Sequence, residues 1–126
     1  MSEKKVLLEV KNLKKYYSKS LYFNTKKHVN KAVDDVSFSV YEGETFGLVG
    51  ESGCGKTTIG KMIVKLIEPD SGEIAFDGLN FSEIKEKDSL ALRRNVQMVF
   101  QDPHSALDPK FTLFKTINEA LKTHKL

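Results

Sequence analysis

Lys56 and Thr57 close the stretch Gly50-Glu51-Ser52-Gly53-Cys54-Gly55-Lys56-Thr57, which fits the phosphate-cradling pattern G-x-x-x-x-G-K-(S/T). The chemistry follows from residue type. Gly50, Gly53 and Gly55 let the backbone turn where a Cβ would clash, so successive N–H groups can face phosphate oxygens. A helix starting at the end of the loop adds its free N–H groups and the positive end of its dipole. Lys56 would reach the β- and γ-phosphates of a nucleotide as a compact cation, and the Thr57 hydroxyl would join the shell of a bridging Mg²⁺. Thr58 reads either as a second phosphate contact or as a first-turn helix residue. The plain alternative for the whole stretch is a glycine-rich turn from strand to helix with a solvated lysine, a turn that needs one glycine rather than three. Cys54, the one cysteine, excludes an internal disulfide and a cysteine-based metal site. It reads first as a small filler facing solvent or ligand, and second as a reactive thiol beside Lys56.

The elements around the loop occur in the order such a loop needs. Thr45 to Val49 reads as a short buried strand, and Ile59, Met62, Ile63 and Leu66 recur at helical spacing after Lys56. Upstream, Val6 to Val10 suggests an opening strand, while Val36, Phe38 and Val40 alternate as in a half-buried strand. Lys14 to Lys31, rich in lysine and tyrosine, reads as a long loop. Downstream, Glu68-Pro69-Asp70-Ser71-Gly72 is a turn, and Asp77-Gly78 closes a short strand from Glu73 to Phe76 as a hairpin. Leu90 to Arg94 ends a short helix, Val96 to Phe100 reads as a second buried strand, and Gln101-Asp102-Pro103 breaks it. Thr112 caps a helix that carries Leu113, Ile117, Ala120 and Leu121 on one face. Two strands before the loop and a hairpin after it argue against a purely parallel sheet.

With 126 residues, 40% hydrophobic and 29% charged, the chain amounts to one soluble globular domain at most. A net charge of +3, with both signs interspersed, gives no basic stripe for nucleic acid. No apolar run approaches the roughly 18 residues of a membrane span, and Met1-Ser2-Glu3-Lys4-Lys5 lacks the apolar stretch of a secretory signal.

Taken together, the loop Gly50 to Thr57, the turn Glu68 to Glu73 and the segment Val99-Phe100-Gln101-Asp102-Pro103 resemble the nucleotide-binding subunits of ABC transporters. More narrowly, the loop with Gln101-Asp102-Pro103-His104-Ser105-Ala106-Leu107-Asp108-Pro109 is similar to the oligopeptide and dipeptide importer ATPases, whose pattern there is QDPxxSLNP. Asp108 stands where that pattern has Asn, and Ala106 departs from it as well. The resemblance implies an α/β P-loop NTPase fold. Residues 1–126 would be its N-terminal part, antiparallel strands plus the core strand, P-loop and helix, with a helical subdomain only begun at 112–126. ATP and Mg²⁺ are the implied cofactors, and the nucleotide site would comprise Gly50, Glu51, Ser52, Gly53, Cys54, Gly55, Lys56, Thr57 and Thr58. Tyr17 sits where the family places an aromatic that stacks on adenine, with Tyr16, Tyr22 and Phe23 as nearby competitors and loop packing as the other reading. Gln101 matches a glutamine that approaches Mg²⁺ and the attacking water, so Thr57 and Gln101 form the implied metal set. Implied partners are transmembrane permease subunits, a second ATP-binding subunit in a dimer and an extracytoplasmic peptide-binding protein. The implied location is peripheral, on the cytoplasmic face of the membrane.

The 126 residues hold no Leu-Ser-Gly-Gly-Gln signature, no apolar strand ending in Asp-Glu and no switch histidine, since His104 and His124 lie in other contexts. The expectation is therefore an N-terminal piece of an ATPase that is inactive alone, or a truncated nucleotide-binding chain without catalysis. A GTPase would need Asn-Lys-x-Asp downstream of the loop. Asn30-Lys31 lies upstream, with Val33 in place of the Asp.

Overall fold

A computed structural model describes residues 4–19, 28–85 and 88–125. Two long strands, β1 (Val6–Lys19) and β2 (His28–Tyr41), pair antiparallel. The other edge of β1 receives β3 (Ser71–Phe76), which turns back into β4 (Leu79–Asn80). The sheet order is β2-β1-β3-β4, with every neighbouring pair antiparallel. The helices are α1 (Lys56–Ile63), α2 (Ser89–Asn95), the single turn α3 (Pro103–Ala106) and α4 (Leu113–Thr123). No helix among the described residues is long and apolar enough to cross a membrane.

Val10 and Leu13 are both buried although three residues apart, which strict alternation in a strand forbids. A break in register between them resolves the conflict by inserting an extra residue, and both side chains return to the same face. Asn12, at φ 47°, sits in that irregularity; its N–H donates to Ser37 Oγ at 2.8 Å and its side-chain amide to Asp35 Oδ1 at 3.1 Å. Onto this face α1 lays Ile59 and Met62, so that Val10, Leu13, Val33, Ile74, Ile59 and Met62 form the centre of the core. Burying side chains of this size contributes about 1.5–3 kcal/mol each. Phe81, Ile84 and Leu92 extend the cluster, and Lys65 Nζ fastens that end by donating to the carbonyls of Phe81 and Ile84 at 3.1 and 3.0 Å.

The hairpin at Asp77-Gly78 forms as its sequence requires, with φ of 50° and 78° at its two central residues, the left-handed pair of a type I′ turn. Thr112 caps α4, its Oγ1 accepting from the Lys115 N–H at 3.2 Å. Three expectations need correction. The stretch from Lys14 to Lys31 is not a long loop where it is described: residues 14–19 and 28–31 are strand. Tyrosines have high strand propensity, and Lys15 and Lys31 find carboxylates in Asp70 and Asp34, so their charge does not keep the chain in a loop. Thr45 to Val49 and Val96 to Phe100 are neither strands nor buried: Val49 is 94% and Val99 95% exposed. A buried strand needs partners on both edges and cover on both faces, and no described strand lies beside either segment. The one aromatic contact of the first segment is Phe46, stacked on Phe38 of β2 with ring centroids 5.0 Å apart. Leu66 lies beyond α1 and is exposed, and α4 buries none of its residues.

Candidate functional site

The loop is built backward from α1. Gly55 precedes the first helical residue with φ 95°, a left-handed conformation that only glycine adopts freely. It is also pressed against β2: a Cβ there would lie 2.0 Å from the Ala32 carbonyl oxygen. Gly53, at φ 81°, has the same handedness but open space around it, with nothing within 4 Å of an added Cβ. Gly50 has little room because a Cβ would come 2.5 Å from Cys54 Sγ. The three glycines thus answer three separate demands: close approach, handedness, and clearance within the loop. A rigid backbone contact cannot yield as a flexible side chain can. Gly55→Ala is therefore expected to destabilise the chain by about 2–5 kcal/mol, from overlap plus left-handed strain, against about 1–2 kcal/mol for Gly53→Ala. Urea unfolding of the two variants checks the ordering, and equal midpoints would contradict it.

Lys56 curls back into the loop. Its ammonium donates to the Gly50 and Glu51 carbonyls, both at 2.6 Å, and approaches Cys54 Sγ at 3.3 Å. Those three contacts match its three protons. The Cys54 N–H is also taken, by the Glu51 carbonyl at 3.2 Å. Its neighbours differ: among the described residues the N–H groups of Gly53, Gly55, Lys56, Thr57 and Thr58 donate to no protein acceptor. Adjacent unpaired donors at a helix start form an anion-binding surface, and the helix dipole adds to it. Thr57 is exposed and Thr58 half-buried, and the Thr57 hydroxyl makes no hydrogen bond among the described residues. Glu51, Ser52 and Cys54 lie exposed around the same turn.

Tyr17 reaches the same region by way of β2. Lys15 pairs with Val33, whose Cγ2 lies 3.3 Å from the Cβ position of Gly55, and Tyr17 is two residues further along that face. Two strand residues span about 7 Å. Tyr17 is 42% exposed and its ring is met by Lys15 Nζ, 5.8 Å from the centroid. Tyr16 is committed elsewhere. Its hydroxyl donates to Asp34, which also accepts from Lys31 at 3.1 Å. Those two hydrogen bonds, Tyr16 first, hold the Asp34 carboxyl below the usual carboxylate range, and the same contact with Asp34 raises Tyr16 above its ordinary value. Tyr22 and Phe23 lie outside the described residues.

Gln101 is exposed at a bend and makes no hydrogen bond to the loop among the described residues. Asp102 follows it and caps α3 through its carboxylate, which accepts from the His104 N–H at 3.0 Å. The structure thus assembles the loop and sets Tyr17 along the neighbouring strand, but does not join Gln101 to them. A cavity of about 460 Å³ lined by Phe76, Ile84, Asp88 and Leu92 lies on other elements and includes no loop residue. Sequence reasoning missed Ala32, whose carbonyl fixes Gly55, and the contacts of Asp70 with Lys15 and Tyr16. Pairings across 54 and 55 residues leave no local signal.

The ABC transporter family model matches residues 33–125. Among curated proteins, the chain is 48% identical over 127 residues to the oligopeptide transport ATP-binding protein OppF of Bacillus subtilis, covering 100% of this chain and 39% of that one. It is 49% identical to the protein of the same name from Streptococcus mutans, covering 98% and 38%. It is 42% identical to the dipeptide transport ATP-binding protein DppF of Lactococcus lactis, covering 100% and 39%. The chain therefore spans less than two fifths of the length of these relatives. Among solved structures it resembles the ABC transporter cassette MJ0796 bound to ADP and Pi, with TM-score 0.74 and 24% identity, over 94% of this chain and 48% of that one. A structure of an ATP-binding subunit of an ABC transporter gives TM-score 0.67 and 29% identity, over 95% and 43%. The family model matches most of the chain, in agreement with its α/β fold, and the chain belongs to the ABC transporter family.

Proposed function

We propose that the loop Gly50 to Thr57 binds the phosphates of ATP, and that the chain is the ATP-binding part of a transporter that imports oligopeptides or dipeptides. The observation that carries the binding site is the set of N–H groups of Gly53, Gly55, Lys56, Thr57 and Thr58, unpaired among the described residues, beside the Lys56 ammonium. Lys56 would exchange its carbonyl contacts for β- and γ-phosphate oxygens, with Glu51, Ser52 and Cys54 shaping the turn around them. Thr57 and Gln101 offer neutral oxygens that suit a hard cation such as Mg²⁺, which neutralises phosphate charge when bound. Thr58 adds a further first-turn donor, and Tyr17 presents an aromatic face to the adenine ring. The peptide class rests on the named relatives, as do the expected permease subunits, the paired second ATP-binding subunit, the peptide-binding protein and a peripheral position at the cytoplasmic face.

Cys54 supplies the test. It is exposed, and its sulfur lies 3.3 Å from Lys56 Nζ, so an alkyl group there adds bulk inside the phosphate cradle. Alkylation should block ATP binding, and MgATP at ten times its dissociation constant should slow alkylation about tenfold. Mass spectrometry of the modified thiol reads the rate. Equal rates with and without nucleotide would overturn the assignment of the loop.

A further inference from the structure

Asp70 belongs to the turn after α1, yet its contacts are all with β1. Its Oδ1 accepts from Lys15 Nζ at 2.8 Å and its Oδ2 from the Tyr16 N–H at 2.7 Å, while its own N–H donates to the Lys14 carbonyl at 2.9 Å. Three hydrogen bonds therefore fasten one residue of the turn to three successive residues of the strand, immediately before Tyr17. The latch sits where β3 gives out: the last pairing of β1 with β3 is Lys14 with Ser71, and beyond it β1 pairs only with β2. The Lys15 side chain is 19% exposed, so the salt bridge is more shielded than an ordinary surface pair. With its ammonium pinned by Asp70, Lys15 lies over the ring of the exposed Tyr17, its Nζ 5.8 Å from the centroid.

Resting on the reading of Tyr17 as the adenine platform, we infer that Lys15 and Asp70 are positioning residues for the nucleobase: Asp70 latches the strand and holds the Lys15 ammonium, which fixes the Tyr17 ring from behind. Asp70 also lies in the segment that leads from α1 (Lys56–Ile63) into β3, and the first turn of α1 carries the proposed phosphate donors. The latch therefore ties the segment after the phosphate helix to the strand that carries the base platform, and so bears on the spacing between the two ends of the nucleotide site. A cation on one face of an aromatic ring orients it without blocking the other.

The distinguishing ligand is inorganic tripolyphosphate, which keeps the phosphates and lacks the base. Calorimetric titration of the full chain with Mg²⁺ and either ATP or tripolyphosphate would compare Tyr17→Ala, Lys15→Met, Lys15→Arg and Asp70→Asn with the parent. Lys15→Met is expected to weaken ATP binding roughly three- to tenfold and leave tripolyphosphate binding unchanged. Asp70→Asn should act in the same direction, and Lys15→Arg, which keeps a cation over the ring, should restore ATP binding to within about twofold. If Tyr17→Ala weakens ATP binding while Lys15→Met binds ATP as the parent does or tighter, the positioning role is overturned and the platform stands. If Lys15→Met weakens both ligands equally, the pair only maintains the fold, and the inference is likewise overturned. If Tyr17→Ala leaves ATP binding unchanged, the platform reading fails and the inference falls with it.

Discussion

Lys56→Ala is expected to weaken ATP binding by roughly a hundredfold or more, since charge-assisted hydrogen bonds contribute about 1.5–3 kcal/mol each and this ammonium would supply at least two to the β- and γ-phosphates. Two effects combine in that number. The variant loses the cation nearest the phosphates, and it also loses the contacts to the Gly50 and Glu51 carbonyls that hold the empty loop in shape. Lys56→Arg separates them. A guanidinium keeps the charge, but its planar fork does not fit between two carbonyls that approach a single nitrogen at 2.6 Å. Arginine should therefore recover only part of the loss. Equilibrium dialysis with labelled ATP measures both variants, and parent-like affinity in Lys56→Ala would place the nucleotide elsewhere.

A second expectation concerns turnover. The 126-residue chain purified alone should release no phosphate above a Lys56→Ala control at millimolar MgATP. Donors at the start of α1 would hold the phosphates of ground state and transition state alike, and such uniform binding does not accelerate transfer. Hydrolysis needs groups that orient water and meet charge as it develops. Gln101, the residue in these 126 whose resemblance suggests water contact, makes no hydrogen bond to the loop among the described residues. No Asp-Glu pair ends an apolar strand in this sequence. The malachite green assay reads the released phosphate. A Lys56-dependent turnover on the order of 1 s⁻¹ would show that the residues present suffice.

The conformation of the loop from Gly50 to Thr57 and the helix after it were legible because their demands are mostly local. Gly53 and Gly55 answer backbone handedness, Gly50 answers clearance from Cys54 within the loop, Lys56 and Thr57 start one helix, and the turn at Asp77-Gly78 and the Thr112 cap obey equally short-range rules. Strand fate was legible only in part. Apolar runs such as Thr45 to Val49 and Val96 to Phe100 announce that they suit burial, but not whether partner strands flank them, and here they stay exposed. The ribbon formed by the ends of β1 and β2 was misread for the opposite reason. Lysines at 14, 15, 19 and 31 look like a solvated loop until Asp70, distant in sequence, is seen to pair with Lys15, and Asp34 to pair with Lys31 along β2 while accepting from Tyr16 of β1. The clash that requires Gly55 depends on the Ala32 carbonyl, a contact written nowhere near the glycine itself.

Competition titration on the unmodified chain tests the central claim most directly. MgATP should saturate one site per chain, and inorganic tripolyphosphate should displace it fully, because the N–H groups of Gly53, Gly55, Lys56, Thr57 and Thr58, unpaired among the described residues, and the Lys56 ammonium would recognise phosphate rather than base. ATP binding that tripolyphosphate cannot displace, or the absence of any saturable binding, would contradict a phosphate site in this loop.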